Sequence, residues 1–510
     1  MIKCESWQKY VEKFNRNDEE LISQMISNEG ALAWMGKEVP KFECPDKTIE
    51  ETYYFRWWTF RKHIKEIPGG RIITEFLPNV YWAGAYNSIN AANCHHFAEA
   101  RWLAEDKDLI KEYFLFWLKG EGNETSYSSW FVYSMYQYAL LTGEKEFTIS
   151  LFSELRAYYQ KVEASNFTKY GLFWSYDDRD AMEMSISGSG LRPTLNSYMY
   201  ANAYALARIA AWADYQEMQA EYEKIAHKLK EKILALLWDE TDDFFKVIPQ
   251  EAKDKEINSL HFEDIPLAHN VREAIGYIPW NFKIADEKYD RAWKYLLDKR
   301  YFKATYGPTT AERNHPLFMK MCETHECLWN GPSWPFATTQ TLNGLIEMLQ
   351  QGREEYINRK DFLELMQIYS KSHYRENAQG EQINWIDENL DPDSGQWLSR
   401  RILKEWNWRE DKGGYERGKD YNHSTFCDLV IRGLCGVQID ESDYLNVNPL
   451  IPADEWEYFW LENLPYQGHL VTIGYDQKGI RYNRGKGFFV EVDQERKITS
   501  DRLEKVRIKI

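Results

Sequence analysis

Leu195-Asn-Ser-Tyr-Met-Tyr-Ala-Asn-Ala-Tyr-Ala-Leu-Ala-Arg-Ile-Ala-Ala-Trp-Ala213 reads as a helix that is apolar on nearly every side. Such a helix belongs to an inner layer shielded by an outer one. Working outward, further helices are predicted at 47–65, from near Asn87 to the acidic break at 105–108, and at 108–118, 127–142, 144–163 and 215–238. Later ones are predicted at 286–298, 334–350, 355–373 and 424–436, with apolar residues recurring at three and four throughout. Long loops rich in Trp, Gly, Pro and acids separate them at 66–86, 165–194, 299–333 and 374–423. Long loops inside a compact domain usually carry function. Repeated helical hairpins with loops gathered at one end predict an all-α fold, an α/α toroid, over residues 1–440. After about residue 440, YLNVNPLIP, HLVTIGYD, GIRYN, GFFVEVD and KVRIKI alternate as strands do. A small C-terminal β-rich domain over 441–510 is expected.

Composition narrows the function. Of 510 residues 44% are hydrophobic, ample for a deep core, so the chain is not intrinsically disordered. Aromatics reach 16%, with 21 Trp, more than core packing usually needs. Flat faces that stack on sugar rings would use them, although a large helical core accounts for any single Trp as well. A net charge of −17 argues against nucleic acid and anionic membrane as partners, and is indifferent to a neutral sugar. Seven cysteines without regular spacing do not form a disulfide framework. Cys322 and Cys327 lie near His325, but no second cluster completes four ligands, so neither a metal nor another cofactor is expected. No signal-peptide core or membrane-length apolar run is present, which predicts a cytoplasmic protein, or a secreted or periplasmic one if a signal has been removed. Oligomeric state is not legible.

Two loops carry the chemistry. In GLFWSYDDRDAMEMSISGSGLRPTLNSYMY (171–200), Asp177, Asp178, Asp180 and Glu183 crowd together beside Phe173, Trp174 and Tyr176. Like charges and aromatic surroundings raise a carboxyl pKa, as a general acid requires. The same segment also reads as a solvated acidic turn or a calcium loop. In INWIDENLDPDSGQWLSRR (383–401), Asp391-Pro-Asp-Ser-Gly makes a tight turn that fixes the aim of Glu388, although such turns are common in loops. Glu405, Glu410 and Glu416 compete further on. Paired carboxyls of this kind, one protonated and one ionised, cut glycosidic bonds. Trp57, Arg61, Trp82, Arg192, Asn196, Trp329, Asn330, Trp334, Trp385 and His423 are the candidate sugar-binding residues, His423 being as readily a bystander.

Together these segments resemble the six-hairpin glycosidases of glycoside hydrolase families 63 and 37, in particular the group similar to mannosylglycerate hydrolase. Ala181-Met-Glu-Met-Ser185 is similar to the family's general-acid motif, with Ala for Gly and Glu for Asp, so Asp180 competes with Glu183. Glu388-Asn-Leu-Asp-Pro-Asp-Ser-Gly395 resembles its catalytic-base motif, Trp329-Asn-Gly-Pro-Ser-Trp334 its Trp-x-Gly-Pro-x-Trp, and Tyr421-Asn-His-Ser-Thr425 the segment before its last barrel helix. The resemblance spans about residues 50–440. It implies an (α/α)6 barrel and an inverting α-glycosidase acting on an oligosaccharide or small glycoside. Glu183 (or Asp180) would then be the acid and Glu388 the base, with carboxyls about 6.5–9.5 Å apart. Two other classes stay open: a sugar epimerase or polysaccharide lyase on the same toroid, using a His or Tyr base, and a non-catalytic carbohydrate-binding protein.

Overall fold

The stretch from Leu195 lies in helix Pro193–Trp212, buried from Pro193 to Ala210 with few gaps. Pro193 at the first helical position already has the φ that a helix needs. This is a computed structural model, and it describes residues 2, 4–322 and 324–510. The next helix, Gln216–Leu236, packs along the first and buries only Tyr222, Ala226, Leu229 and Ile233. That four-three-four spacing is one stripe of an otherwise solvated helix. The same alternation recurs along the chain. Lys47–Lys62 and Pro335–Leu349 are buried almost throughout, whereas Phe152–Asn166 and Arg359–Lys371 bury one face. No helix among the described residues is long and apolar enough to cross a membrane.

Several predicted boundaries move, for local reasons. Residues 286–298 form a 3₁₀ helix, Glu287–Tyr295, rather than an α-helix. Its buried residues fall on three-residue steps, with Tyr289, Ala292 and Tyr295 on one edge and Asp290 and Trp293 on the next, as that tighter helix requires. Residues 424–436 yield only Cys427–Leu429 in α-helix, followed by a π-helical turn, Val430–Leu434. Helices at Cys4–Arg16, Ala31–Glu38 and Leu398–Glu405 form where none was predicted.

Beyond residue 440 the chain is strand-rich. Tyr458–Tyr466, His469–Asp476, Gly487–Val492 and Glu495–Ser500 make consecutive antiparallel pairs in a five-stranded sheet. The fifth strand, at the edge, is Lys41–Glu43, with Lys41 opposite Glu462 and Glu43 opposite Trp460. The C-terminal sheet is therefore completed by a strand from the other end of the chain. Tyr444–Val447 pairs separately with Val506–Lys509. The run at 479–483 forms turn and bend instead of a strand: Asp476 accepts hydrogen bonds from the Gly479, Arg481 and Tyr482 N–H groups, which removes them from any ladder.

Candidate active site

Six parts of the chain line one cavity of about 500 Å³, in segments around Glu75, Tyr127, Glu183, Glu326, Glu388 and Arg417. Glu183, Glu388, Trp82, Trp334 and His423 all line it. Of the candidate residues, these five share one space, and of the other acids crowded beside Glu183 only Asp178 joins them.

The acid loop is built around a buried ion pair. Arg192 Nε donates to Asp180 Oδ2 at 2.6 Å, with both side chains fully buried. Ser128 and Ser175 hydroxyls donate to Asp180 Oδ1 at 2.5 and 2.9 Å, and Arg192 also reaches the Gly188 carbonyl. Asp180 thus anchors the loop with Arg192 as its counter-ion, and neither residue lines the cavity. With the anchor set, Ala181 and Met184 take left-handed backbone conformations, φ 57° and 64°, on either side of Met182 and Glu183. Such angles cost energy for residues with a Cβ and persist only where the surroundings enforce them. Here the Trp329 N–H holds the Glu183 carbonyl at 3.1 Å, which ties the acid loop to the Trp329–Trp334 segment.

Among the described residues no cation pairs with Glu183. Burial, then the charges of Glu388, Asp178 and Asp177, push its carboxyl up to about 8, against the pull of its own backbone N–H. Glu183 is only half-buried, opening onto the cavity that it lines.

Glu388 is held differently. Asp391 Oδ1 accepts from Asp393 N at 3.1 Å, Ser394 N at 2.8 Å and the Ser394 hydroxyl at 3.0 Å, closing the turn with Gly395 at φ 73°. Backbone bonds in both directions join Leu390 to Ser333 at 3.0 Å, so the turn is fastened to the Trp329–Trp334 segment as well. Arg417 Nη2 donates to Glu388 Oε2 at 2.6 Å, and the Cys327 thiol lies 3.5 Å from the same oxygen. Arg417 Nη1 reaches Glu326 Oε1 at 2.6 Å, and Lys412 sits 3.1 Å from Glu326 Oε2. Burial pushes Glu388 above the usual carboxylate range, while the Arg417 charge opposes it. The ionised form of Glu388 therefore has a fixed partner that Glu183 lacks.

The remaining candidates lie elsewhere. Trp57 is fully buried, edge-on to Tyr53 and Phe60, because its helix turns that face into the core. Arg61 donates to Gln24, the Ile26 carbonyl and Asn28, pinning the segment that precedes its own helix. Asn196 pairs with both the N–H and the carbonyl of Phe173 and so shapes the acid loop from behind. Asn330 donates to the Lys320 carbonyl at 2.7 Å. Trp329 stacks at 4.4 Å on Trp334 and backs it. Trp385 lies beneath the Arg375 and Arg400 guanidinium groups, at 3.9 and 5.0 Å, beside a cleft of only about 10 Å³. None of these six residues lines the cavity.

Sequence reasoning missed Glu75, Tyr127, Glu326 and Arg417, all of which line the cavity. Tyr421 Oη donates to Glu75 Oε1 at 3.0 Å and is also hydrogen-bonded to His423 Nδ1. Only the aromatic loop around Glu75 carried a signal, and it did not single out one acid.

The mannosylglycerate hydrolase MGH1-like glycoside hydrolase domain matches residues 85–424. A solved structure described as a sialidase aligns over 100% of this chain at 36% identity, with a TM-score of 0.89. This chain spans 45% of that sialidase chain. A mannosylglycerate hydrolase of glycoside hydrolase family 63 from Thermus thermophilus, in complex with glucose, aligns over 74% of this chain and 99% of its own. Its identity is 11% and its TM-score 0.50, a likeness of fold alone. An α-L-rhamnosidase from Aspergillus terreus gives 11% identity and a TM-score of 0.51 over 93% of this chain and 49% of its own. With the domain matched over two thirds of its length, the chain belongs to the mannosylglycerate hydrolase MGH1-like glycoside hydrolase family.

Proposed function

We propose that the protein is an inverting glycosidase that cleaves an α-glycosidic bond in an oligosaccharide or small glycoside. Its body would be an (α/α)6 toroid over residues 1–440 with a small β-rich domain over 441–510. The alternation of fully buried and one-stripe helices supports the toroid. The observation that carries the activity is the unequal treatment of two carboxyls on one cavity: Glu183 has no cation and is pushed up to about 8, whereas Glu388 is ion-paired to Arg417. Environments that hold two acids in different protonation states assign the acid and base roles.

In this reading Glu183 gives its proton to the leaving glycosidic oxygen as the bond from that oxygen to the anomeric carbon breaks. Glu388 removes a proton from a water whose oxygen bonds to the anomeric carbon on the opposite face, so the configuration inverts. Trp82, Trp334 and Tyr127 would form the apolar walls against the ring, and His423 would meet a hydroxyl.

The general acid must be protonated in the free enzyme, so kcat/KM is expected to fall on the alkaline side with a midpoint near the Glu183 value of about 8. A pH profile of kcat/KM checks this, and a Glu183→Gln enzyme should have lost that limb. A screen of aryl α-glycosides and α-linked disaccharides, with proton NMR of the first-formed anomer, tests the whole reading. Release of the β anomer supports it. Release of the α anomer removes inversion, and no hydrolysis of any glycoside removes the activity.

One observation favours a second reading, an epimerase or lyase. Burial holds His423 neutral, and its Nε2 has no partner among the described residues. Glu388→Gln retaining activity while His423→Gln loses it would select that chemistry.

A further inference from the structure

Glu75 is a further carboxyl on the same cavity, outside the acid–base pair and 4% exposed. Its Oε1 accepts from Tyr421 Oη at 3.0 Å and lies 3.3 Å from His423 Nδ1. Its Oε2 is buried and has no partner among the described residues, and the same holds for His423 Nε2. Two unpaired buried polar atoms on side chains joined through Tyr421, in residues that line the cavity, are costly to leave unmet.

We infer that Glu75 Oε2 and His423 Nε2 form a donor–acceptor pair that binds the hydroxyls of the sugar ring, with Tyr421 as the positioning residue that aims both. This rests on the glycosidase reading above. The hydrogen-bond chain fixes the direction of each group. Tyr421 has one proton, and donating it to Glu75 Oε1 leaves its oxygen to accept from His423 Nδ1–H. His423 Nε2 is then a lone pair that accepts from a sugar O–H. The groups facing Glu75 are Tyr421, neutral His423, Glu388, Glu183 and Arg417. Arg417 is already shared by Glu326 and Glu388, so no cation remains to neutralise an ionised Glu75. Burial, reinforced by the charge of Glu388, pushes the Glu75 carboxyl well above its ordinary range. Glu75 is therefore a neutral acid whose Oε2–H donates to a hydroxyl oxygen of the sugar.

The test uses 4-nitrophenyl α-glycosides of neutral pentoses and hexoses, together with the monodeoxy analogues of the one turned over fastest. Glu75→Ala is expected to lower kcat/KM about 100-fold on the parent glycoside, the scale of leaving buried partners unpaired. On the analogue that lacks the bound hydroxyl, the same variant should stay within about threefold of wild type. Glu75→Gln remains neutral and keeps an N–H donor, so it should hold the parent kcat/KM within about fivefold. Melting curves of both variants separate misfolding from lost binding, and Glu75→Gln carries the test if Glu75→Ala does not fold. The inference is overturned if Glu75→Ala keeps full activity, if its loss is equal across every deoxy analogue, or if Glu75→Gln is as impaired as Glu75→Ala. Any of these leaves the glycosidase reading standing. If wild type hydrolyses no glycoside, that reading fails and the Glu75 assignment falls with it.

Discussion

Glu388→Gln is expected to lower kcat/KM by about 10²–10⁴-fold, the usual contribution of a general base. The substitution keeps the shape of the side chain and an oxygen for Arg417 Nη2 to meet at the position now 2.6 Å away. Arg417 also retains Glu326, so the guanidinium is not left unpaired. What is lost is the capacity to take a proton from water. Steady-state kinetics beside a melting curve check the prediction, and a variant with wild-type turnover would remove Glu388 from the chemistry. Glu183→Gln should match it in loss of activity but differ in stability. The folded state holds on to the Glu183 proton up to about pH 8, whereas the unfolded chain releases it in the ordinary carboxylate range. Glu183 therefore costs stability as pH rises through that window, and Gln removes the cost, so the variant should gain on wild type in alkaline melting curves.

Asp180→Ala should fail in the opposite way. It strips the counter-ion from a fully buried Arg192, and removing one partner of a buried pair costs about 3–5 kcal/mol. The Ser128 and Ser175 hydroxyls lose their acceptor at the same time. Denaturant unfolding should report the loss directly. Activity per folded molecule should fall less than in Glu183→Gln, because Asp180 supports the loop and does not reach the cavity. If Asp180→Ala is as stable as wild type and inactive on every substrate, the roles of Asp180 and Glu183 must be exchanged.

What was legible in the sequence is what neighbouring residues decide. The helix around 195–213 could be read because Ala, Leu and Tyr cover all its sides, and the turn after Glu388 because Asp-Pro-Asp-Ser-Gly supplies its own hydrogen bonds. Helix Cys4–Arg16 is equally legible, with Trp7, Tyr10, Val11 and Phe14 on one stripe. The roles of Arg61, Arg192 and Asn196 were not readable. Each is a polar side chain near aromatic residues, as a sugar ligand would be, and only the folded chain brings Asn28, Asp180 or the Phe173 backbone to meet it. Glu75 and Arg417 were hidden for the same reason. Nothing local separates them from the other charged residues of the chain, and their meaning comes from the carboxyls, Tyr421 and His423 that folding sets beside them. Burial and partners decide which acid can work, and both are long-range.

The most direct test of the acid–base assignment is the leaving-group dependence of Glu183→Gln and Glu388→Gln, measured as kcat/KM on an α-glycosyl fluoride and on an α-linked disaccharide of the same sugar. Fluoride departs without a proton. Glu183→Gln should therefore keep near-wild-type rates on the fluoride and lose about 10²–10⁴-fold on the disaccharide, while Glu388→Gln loses activity on both. Equal losses on the two substrates in Glu183→Gln, or full activity on both, would contradict the account.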